Sequence, residues 1–219
     1  MRTVVLTGAS GNLGQAVAAA FAGANVALLD VRPPNSEGTF IQTDLLDPKS
    51  VQAAADEILQ RFGRVDVLCN LAGGFRMGAP VHETSPQDWD FLFNLNARTV
   101  LHAAKAFVPV MLKAGGGKIV NVGAYAAQKG AARMGAYIAS KSALIRLTET
   151  MAAELREQNI NVNCVLPTVI DTPENRAAMP HADPRKWVAP QDLAAVILFL
   201  ASDAARAIHG AALPVTGLS

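Results

Sequence analysis

The amino-acid sequence predicts an α/β fold, in which a doubly wound, mainly parallel sheet of seven strands carries helices on both faces. Short apolar or β-branched segments alternate strictly with longer, alanine-rich segments of helical periodicity. The strand segments are almost continuously apolar, which is typical of strands that are covered on both sides. The chain has 219 residues, of which 51% are hydrophobic and 17% charged, so it can bury a large core.

Each element is predicted from its own pattern. The strands are expected at residues 3–7, 26–31, 40–43, 65–70, 118–122, 161–166 and 212–216, and the helices at 12–22, 48–62, 86–113, 135–158 and 190–204. Two helix starts are especially clear, because Asp47-Pro48 and Ser85-Pro86 combine a capping side chain with a proline in the first turn. No repeat, low-complexity tract or flexible linker divides the chain. Residues 1–219 are therefore expected to form a single domain.

One long segment, residues 168–189, breaks the alternation with several prolines and little periodicity. It directly follows the predicted strand at 161–166. In doubly wound sheets, ligands bind beyond the carboxyl ends of the strands, so this segment is predicted to form a lid. Within it, Trp187 is expected either to anchor the lid or to stack on a ligand. Arg176 would bind a substrate carboxylate or tie the lid down through Asp171 or Asp183.

Composition excludes several classes of protein. With 19 basic and 18 acidic residues, the chain lacks the basic excess of a nucleic-acid-binding protein. Its mainly apolar stretches at 15–29 and 193–202 are shorter than the ~20 residues of a membrane span, and its N-terminus lacks the apolar core of a signal peptide. Cys69 and Cys164 have no partner at ligand spacing, so neither a metal site nor a disulfide framework is expected. These features favour a cytoplasmic location and no membrane or nucleic-acid partner.

A glycine-rich turn follows the first predicted strand. Glycines at 8, 11 and 14 give a tight turn, room for the backbone to approach a pyrophosphate, and close packing of helix on strand. The start of the next helix offers free N–H groups to phosphates. This context, strand then helix, predicts a dinucleotide site built from Gly8, Ser10, Gly11, Asn12, Leu13 and Gly14.

Asp30 ends the second predicted strand, 22 residues after Gly8. A carboxylate at that place accepts hydrogen bonds from the adenosine ribose diol and repels a 2′-phosphate. The alternative is that Asp30 only caps a turn. Arg32 is a possible partner for a 2′-phosphate. Because Asp30 occupies the strand end itself, the sequence favours NAD(H) over NADP(H).

Tyr137 and Lys141 are four residues apart in a strongly helical segment, so both side chains lie on one helix face. A phenol titrates near ~10 and is a poor acid or base at neutral pH. A neighbouring ammonium group stabilises the phenolate, so Lys141 is expected to lower the pKa of Tyr137. The pair is therefore predicted to carry out proton transfer.

These motifs, together with Asp44-Leu45, Asn70-Leu71-Ala72-Gly73 and Asn96, resemble the short-chain dehydrogenase/reductase superfamily over nearly the whole chain. The resemblance implies a Rossmann fold and a small-molecule substrate. It implies that Tyr137 donates or accepts the proton, that Lys141 binds the nicotinamide ribose and tunes Tyr137, and that Asn96 holds a water in a proton relay. The cofactor would also meet Asp44, Leu45, Asn70, Ala72, Gly73, Pro167 and Thr172.

The resemblance also implies a homodimer or homotetramer, in which helices 86–113 and 135–158 would pair. These helices carry apolar residues on more than one face, such as Ile145, Leu147 and Met151.

One departure from the superfamily pattern concerns the catalytic serine. Its position, 13 residues before Tyr137, is occupied by Ala124, and no serine or threonine lies between Gly115 and Tyr137. Loss of one such donor typically lowers the rate on the order of 10²–10³-fold. Either Tyr125 or Asn121 replaces the serine, or the substrate does not need this donor.

Ala124, Asn12 and the absence of a glycine after Pro167 resemble the quinonoid dihydropteridine reductase branch, as do the lid residues. A quinonoid dihydropterin is reduced at a conjugated C=N system, for which a carbonyl-binding serine is dispensable. The main hypothesis is an NAD(P)H-dependent reductase of a small C=N or C=O acceptor. A serine-less carbonyl reductase or alcohol dehydrogenase, and a non-catalytic dinucleotide-binding regulator, are the alternatives. The expected substrate contacts are Phe75, Ala124, Tyr125, Arg176 and Trp187, where Phe75 either stacks on the substrate or only packs.

Overall fold

The computed structural model describes all 219 residues and confirms the predicted fold class. Seven strands form one sheet in the order β3-β2-β1-β4-β5-β6-β7, and all six neighbouring pairs are parallel. The strands are β1 (Thr3–Thr7), β2 (Asn25–Asp30), β3 (Thr39–Gln42), β4 (Val67–Asn70), β5 (Gly117–Val122), β6 (Ile160–Pro167) and β7 (Ala212–Val215). The strand order reverses between β1 and β4, and a crevice at that point is where such sheets bind ligands.

Seven α-helices connect the strands. They are α1 (Asn12–Ala20), α2 (Pro48–Phe62), α3 (Pro86–Phe93), α4 (Thr99–Lys113), α5 (Gly135–Leu155), α6 (Pro173–Ala178) and α7 (Pro190–Leu200). The two predicted capping starts are confirmed, because Asp47 accepts a hydrogen bond from Lys49 N and Ser85 accepts one from Asp88 N. None of the helices combines the length and the apolarity that crossing a bilayer requires.

The sheet separates two apolar layers. Val4 and Leu6 on β1 point into the layer that contains α1 and α7, whereas Val5 points into the layer that contains α2 and α4. This alternation follows from the two-residue period of a strand. Cys69 and Cys164 are free and buried, as expected of small hydrophobic residues, and burial raises the pKa of the Cys164 thiol to about 11.

The predicted helix 86–113 is interrupted. A π-helical turn at Asn94–Arg98 separates α3 from α4. Such wide turns are frequent at functional sites, because they redirect a side chain without ending the helix. Here the turn contains Asn96, which is completely buried and faces the loop after β4.

Other boundaries differ in smaller ways. α5 ends at Leu155 and α7 at Leu200, and a short 3₁₀ turn follows each of them at Arg156–Gln158 and Asp203–Ala205. Ile145, one of the apolar residues of α5, is buried beside Ala124 and Leu166 within the chain itself. The position of a residue on a helix does not by itself determine which other elements its side chain contacts.

Candidate active site

The glycine turn leaves room for a ligand at one of its three glycines. Gly8 has a positive φ of +67°, and a Cβ there would lie 2.7 Å from the Cα and N of Ala72. A Cβ on Gly14 would lie 2.6 Å from the carbonyl oxygen of Gly8. At Gly11 the nearest atom would be 3.5 Å away. Gly8 and Gly14 therefore permit close backbone packing, whereas a Cβ at Gly11 would make only an ordinary van der Waals contact.

The turn fits the phosphates of a dinucleotide. Gly11 caps α1 without a side-chain hydrogen bond, and the first turn of α1 contains no acidic residue. Free N–H groups at a helix start, together with the positive end of the helix dipole, attract anions. Leu13 packs against the core, so its contribution to this turn is structural.

Asp30 lies beside the turn, as the motif spacing predicts. Its Oδ2 accepts hydrogen bonds from the backbone N and the Oγ of Ser10, at 2.9 and 2.8 Å. Its Oδ1 accepts one from Val31 N at 2.8 Å. The carboxylate thus stabilises the local turn and retains lone pairs for a ribose diol. Arg32 is exposed and forms no ion pair.

Asp44 and Leu45 follow β3 at the same edge of the sheet. The Asp44 carboxylate accepts a hydrogen bond from Leu46 N at 2.9 Å, which holds the loop that leads into α2. Leu45 is buried, and its carbonyl oxygen lies 2.9 Å from Nδ1 of His102. The loop is therefore fixed between β3 and α4.

The end of β4 is held by a buried chain of amides. Asn70 donates to Asn121 Oδ1 at 2.8 Å, and Asn121 donates to Thr148 Oγ1 at 2.8 Å. Asn121 is completely buried and engaged on both sides of its amide. Its complete burial and its bonds within the core speak against the alternative that Asn121 replaces the missing serine. Ala72 N, one turn further, lies 3.5 Å from Thr7 Oγ1.

Lys141 is buried on α5, with only 4% of its surface exposed. Its Nζ donates to the carbonyl oxygen of Val122 at 2.8 Å. Burial lowers the pKa of this ammonium group to about 8. A Cβ on Gly73 would lie 2.9 Å from Lys141 Nζ and 3.1 Å from Asn96 Oδ1. The absent side chain of Gly73 therefore leaves a small space between a cation and an amide oxygen.

Tyr137 lies four residues earlier on the same helix and is half-buried. Its ring meets the ring of Phe75 edge-on, with centroids 4.9 Å apart and an interplanar angle of 87°. Burial raises the pKa of the phenol to about 12. The expectation that Lys141 lowers this pKa is wrong for the structure, since the ammonium group hydrogen-bonds to Val122 and desolvation of the phenol dominates. Phe75 packs on Tyr137 and stays more than half exposed.

Asn96 links the loop after β4 to α5. Its Oδ1 accepts from Gly74 N at 2.9 Å, and its Nδ2 donates to Gly74 O at 3.1 Å and to Ser140 Oγ at 3.0 Å. Ser140 in turn donates to the carbonyl oxygen of Tyr137 at 2.8 Å. Both amide hydrogens of Asn96 have protein partners, so only a lone pair of Oδ1 is left for the water that the superfamily resemblance implies.

Ala124 ends the strand segment in place of the expected serine. It is buried and packs in an apolar cluster with Ile145, Cys164 and Leu166, against which Tyr137 also rests. The next residue, Tyr125, is 43% exposed, and its hydroxyl group has no hydrogen-bond partner in the chain. Of the two proposed replacements for serine, Tyr125 alone has a free donor.

The predicted lid at 168–189 is partly ordered by secondary structure. Ile170 forms a parallel bridge with Val188, and Thr172 caps α6 by accepting from Asn175 N at 3.2 Å. Pro167, immediately before this segment, is buried at the end of β6. Trp187 is half-buried, which agrees with an anchoring role.

Two charged side chains of α6 make polar contacts that fasten this segment. Arg176 forms a bidentate pair with Asp171, at 2.6 and 2.7 Å, so its guanidinium group ties the lid together. Glu174 accepts a hydrogen bond from Asn12 of the glycine turn at 2.9 Å. Sequence reasoning missed Glu174, because the two partners are 162 residues apart and no local motif links them.

The fold and the site define a Rossmann-type α/β protein with a tyrosine–lysine pair beside its glycine turn. A protein-family model described as "Enoyl-(Acyl carrier protein) reductase" matches residues 8–217. D-threitol dehydrogenase from Mycolicibacterium smegmatis is 35% identical over 239 aligned positions, which cover 99% of this chain and 92% of the relative. The chain belongs to the short-chain dehydrogenase/reductase superfamily and is an oxidoreductase of that superfamily.

Solved structures of similar proteins agree with this assignment. The aldohexose dehydrogenase of Thermoplasma acidophilum has a TM-score of 0.91 and 30% identity, covering 99% of this chain and 93% of that chain. An NAD⁺-bound xylitol dehydrogenase has a TM-score of 0.89 and 29% identity, covering 99% of this chain and 98% of that chain. The similarity thus extends over at least 92% of each of the three proteins and 99% of this chain.

Proposed function

We propose that this protein is an NAD(H)-preferring oxidoreductase that interconverts a small alcohol and its carbonyl form. The observation that carries the proposal is the position of Tyr137 and Lys141 next to Gly73 and Asn96, at the sheet edge that also bears the glycine turn. Three similar proteins are named as dehydrogenases of threitol, an aldohexose and xylitol, which supports an alcohol or sugar substrate.

The proton chemistry follows from the burial of Tyr137. With its pKa raised to about 12, the phenol is neutral at physiological pH and is ready to donate a proton to a carbonyl oxygen. Nicotinamide, when bound, supplies or accepts the hydride. Lys141, held by Val122, would contact the nicotinamide ribose, and Asn96 would hold a water through its remaining lone pair. In the oxidation direction Tyr137 must first lose its proton, so alkaline pH favours that direction.

The cofactor preference rests on Asp30. Its carboxylate is held at the end of β2 by Ser10 and Val31, where it would accept hydrogen bonds from a ribose diol and repel a 2′-phosphate. Gly8, Ser10, Gly11, Asn12, Leu13 and Gly14 would surround the pyrophosphate. The remaining cofactor contacts would come from Arg32, Asp44, Leu45, Asn70, Ala72, Gly73, Pro167 and Thr172.

A quinonoid dihydropterin is the second candidate substrate. It is favoured by Ala124, whose methyl group leaves no hydroxyl donor at the usual place, and by the exposed ring of Phe75 beside Tyr137. If the substrate is instead a ketone, Tyr125 is the available donor for its oxygen. Arg176 and Trp187 would act through the lid rather than by direct contact.

The chain is further proposed to work as one domain with a lid at 168–189, as a homodimer or homotetramer in the cytoplasm. The superfamily resemblance and the lack of a lipid-spanning helix are compatible with this arrangement.

The test is NADH oxidation by purified protein against quinonoid dihydropterin generated in situ and a panel of small ketones and sugars, with NADPH in parallel. Tyr137→Phe is expected to lower turnover about 10²–10⁴-fold, because a general acid is lost, and to leave NADH affinity unchanged. Wild-type turnover by Tyr137→Phe would contradict the assigned role.

The same assay separates the alternatives. Turnover of the pterin alone would make the protein a dihydropteridine reductase, and carbonyl turnover alone would leave Ala124 to be explained by Tyr125. Tight NADH binding without turnover of any acceptor would indicate the non-catalytic regulator. A higher kcat/KM with NADPH than with NADH would overturn the interpretation of Asp30.

A further inference from the structure

A small cleft is lined in part by Tyr137. It is formed by the loop after β4, the start of α3 and the loop before α5; its enclosed part is small, about 10 Å³, and the rest is open to solvent. The residues that matter here are Arg76, Gly78, Asp88, Arg133 and Tyr137, which all line it. Any group bound in this cleft is therefore next to the proposed proton donor.

One of the two arginines in the cleft is already neutralised. Arg76 pairs with Asp88, and its guanidinium carbon lies 4.3 Å from the centre of the Phe91 ring. Asp88 also accepts a hydrogen bond from Ser85 Oγ at 2.9 Å, and these bonds lower the pKa of its carboxyl group. Asp88 is the only acidic residue in the lining, so it leaves no carboxylate for the second arginine.

Arg133 is this second arginine, and its charge is uncompensated. It forms no ion pair, and its Nε makes only a long contact of 3.4 Å to Gly78 O. The backbone of Arg133 is fixed, because its carbonyl oxygen accepts from Gly78 N at 2.8 Å. Its φ is +61°, a conformation that glycine adopts without strain and other residues rarely adopt. An arginine held in this way presents a free guanidinium group at a site where glycine would be more stable.

We propose that Arg133 selects a substrate that carries a carboxylate, an oxo acid or the corresponding hydroxy acid. A guanidinium group binds a carboxylate through two parallel hydrogen bonds, which would orient the substrate with its carbonyl group toward Tyr137. The carbonyl carbon would receive hydride from NADH and its oxygen the proton of Tyr137, giving the hydroxy acid and NAD⁺. This inference names the substrate class of the proposed oxidoreductase and rests on that function.

The experiment compares each acid with its methyl ester, which is similar in shape but uncharged. The kcat/KM of NADH oxidation is measured for 4-oxopentanoate and 5-oxohexanoate and for their esters. Arg133→Met is expected to lower the kcat/KM of the preferred acid at least 30-fold and that of its ester less than threefold. Lys129→Met removes a charge from the same loop outside the cleft and is expected to preserve the ratio of acid to ester.

A second substitution at Arg133 serves as a control for the folding of the variants. Arg133→Gly is expected to raise the melting temperature, because it relieves the positive φ, and to lose the preference for the acid as Arg133→Met does. Arg133→Lys should recover part of the preference. Equal losses for acid and ester, or an equal effect of Lys129→Met, would overturn the proposal.

Binding without turnover separates this inference from the proposed function. Pentanoate and pentanamide are titrated calorimetrically into the complex of the protein with NADH. Pentanoate is expected to bind at least tenfold more tightly, and Arg133→Met should abolish the difference even if no carbonyl compound is reduced. Equal affinity of the two ligands for the wild-type protein, with ester turnover intact, would overturn the carboxylate preference and leave the oxidoreductase function standing.

Discussion

At the scale of single residues, the turn requires glycine at its different positions for different physical reasons. A methyl group on Gly14 would press on the carbonyl oxygens of Gly8 and Ala9 at 2.6 and 2.7 Å, both of which are backbone atoms that cannot move away easily. A methyl group on Gly11 would meet nothing closer than 3.5 Å. Gly14 is therefore required by the packing of the turn, whereas the proposed role of Gly11 is to let the cofactor approach.

This difference predicts a separation of stability from cofactor binding. Gly14→Ala is expected to lower the free energy of unfolding by about 1–3 kcal/mol through overpacking. Gly11→Ala should change it by about 1 kcal/mol or less, while weakening NADH binding more than tenfold. Urea unfolding and NADH fluorescence titration measure the two effects. Unchanged NADH affinity in Gly11→Ala would show that the pyrophosphate does not approach this residue.

Lys141 is a second residue whose environment sets its chemistry. Burial favours the neutral amine, so the folded-state pKa is about 8, below the ordinary value of 10.5 for a lysine. Between these values the unfolded chain binds more protons than the folded protein, and stability therefore rises with pH in this window. Below pH 8 the folded protein carries the full penalty of the buried charge.

Lys141→Met is predicted to remove this pH dependence. The difference in unfolding free energy between wild type and variant should change by up to about 3 kcal/mol between pH 8 and 10.5, since one pKa unit corresponds to about 1.4 kcal/mol. The wild type gains relative to the variant as the pH rises. Chemical denaturation at pH 7, 8, 9 and 10 provides the test, and parallel curves for the two proteins would be evidence that Lys141 is well solvated.

At the scale of elements, the lid is joined to the glycine turn. Asn12, at the start of α1, donates to Glu174 on α6, whereas the other polar contacts of α6 are within the lid itself. A short helix of six residues has little stability of its own and depends on such contacts. Movement of the lid is therefore coupled to the turn that is proposed to bind the pyrophosphate.

Asn12→Ala is predicted to loosen the lid without destabilising the protein. Loss of one hydrogen bond of about 1 kcal/mol should speed amide exchange in Pro173–Ala178 roughly fivefold, while the global unfolding free energy changes by less than about 0.5 kcal/mol. Hydrogen exchange with mass spectrometry measures this. Arg185→Ala is the control, because Arg185 pairs only with Asp183 within the lid. Equal exchange in Asn12→Ala and wild type would mean that the contact does not hold α6.

At the scale of the whole molecule, one feature points to association of chains. Leu101 and Leu112 on α4 are 49% and 41% exposed, and their spacing of 11 residues places them on the same helix face. α5 contributes less exposed apolar surface than expected, because Ile145 is buried and Leu147 and Met151 are half-buried. The apolar surface of α4 is therefore the main candidate for an interface in the proposed dimer or tetramer.

Light scattering coupled to size-exclusion chromatography is predicted to give two or four times the mass of one chain. Leu101→Asp should shift this mass toward the monomer, because a charge would be buried in the interface. Leu218→Asp, near the exposed carboxyl terminus, should have no effect. A monomer at all micromolar concentrations would refute the proposed assembly.

Much of the architecture was predictable because its signals are local. The alternation of strands and helices, the caps at Asp47 and Ser85, and the glycine spacing each lie within a few residues, and the structure has them where the sequence predicts them. The same holds for the placement of Asp30 at the end of β2 and of Tyr137 and Lys141 on one helix. Boundaries were less accurate where a π-turn or a 3₁₀ turn ends a helix.

By itself, then, the sequence determined the fold class, the superfamily motifs and the positions of the tyrosine, the lysine and the glycine turn, since backbone geometry and periodicity act over short distances. Only the tertiary structure decided the pKa directions of Tyr137 and Lys141, the engagement of Asn121 in the core and the isolation of Arg133. Each of these depends on desolvation or on partners that are remote in the chain, and neither can be predicted from a short stretch of sequence.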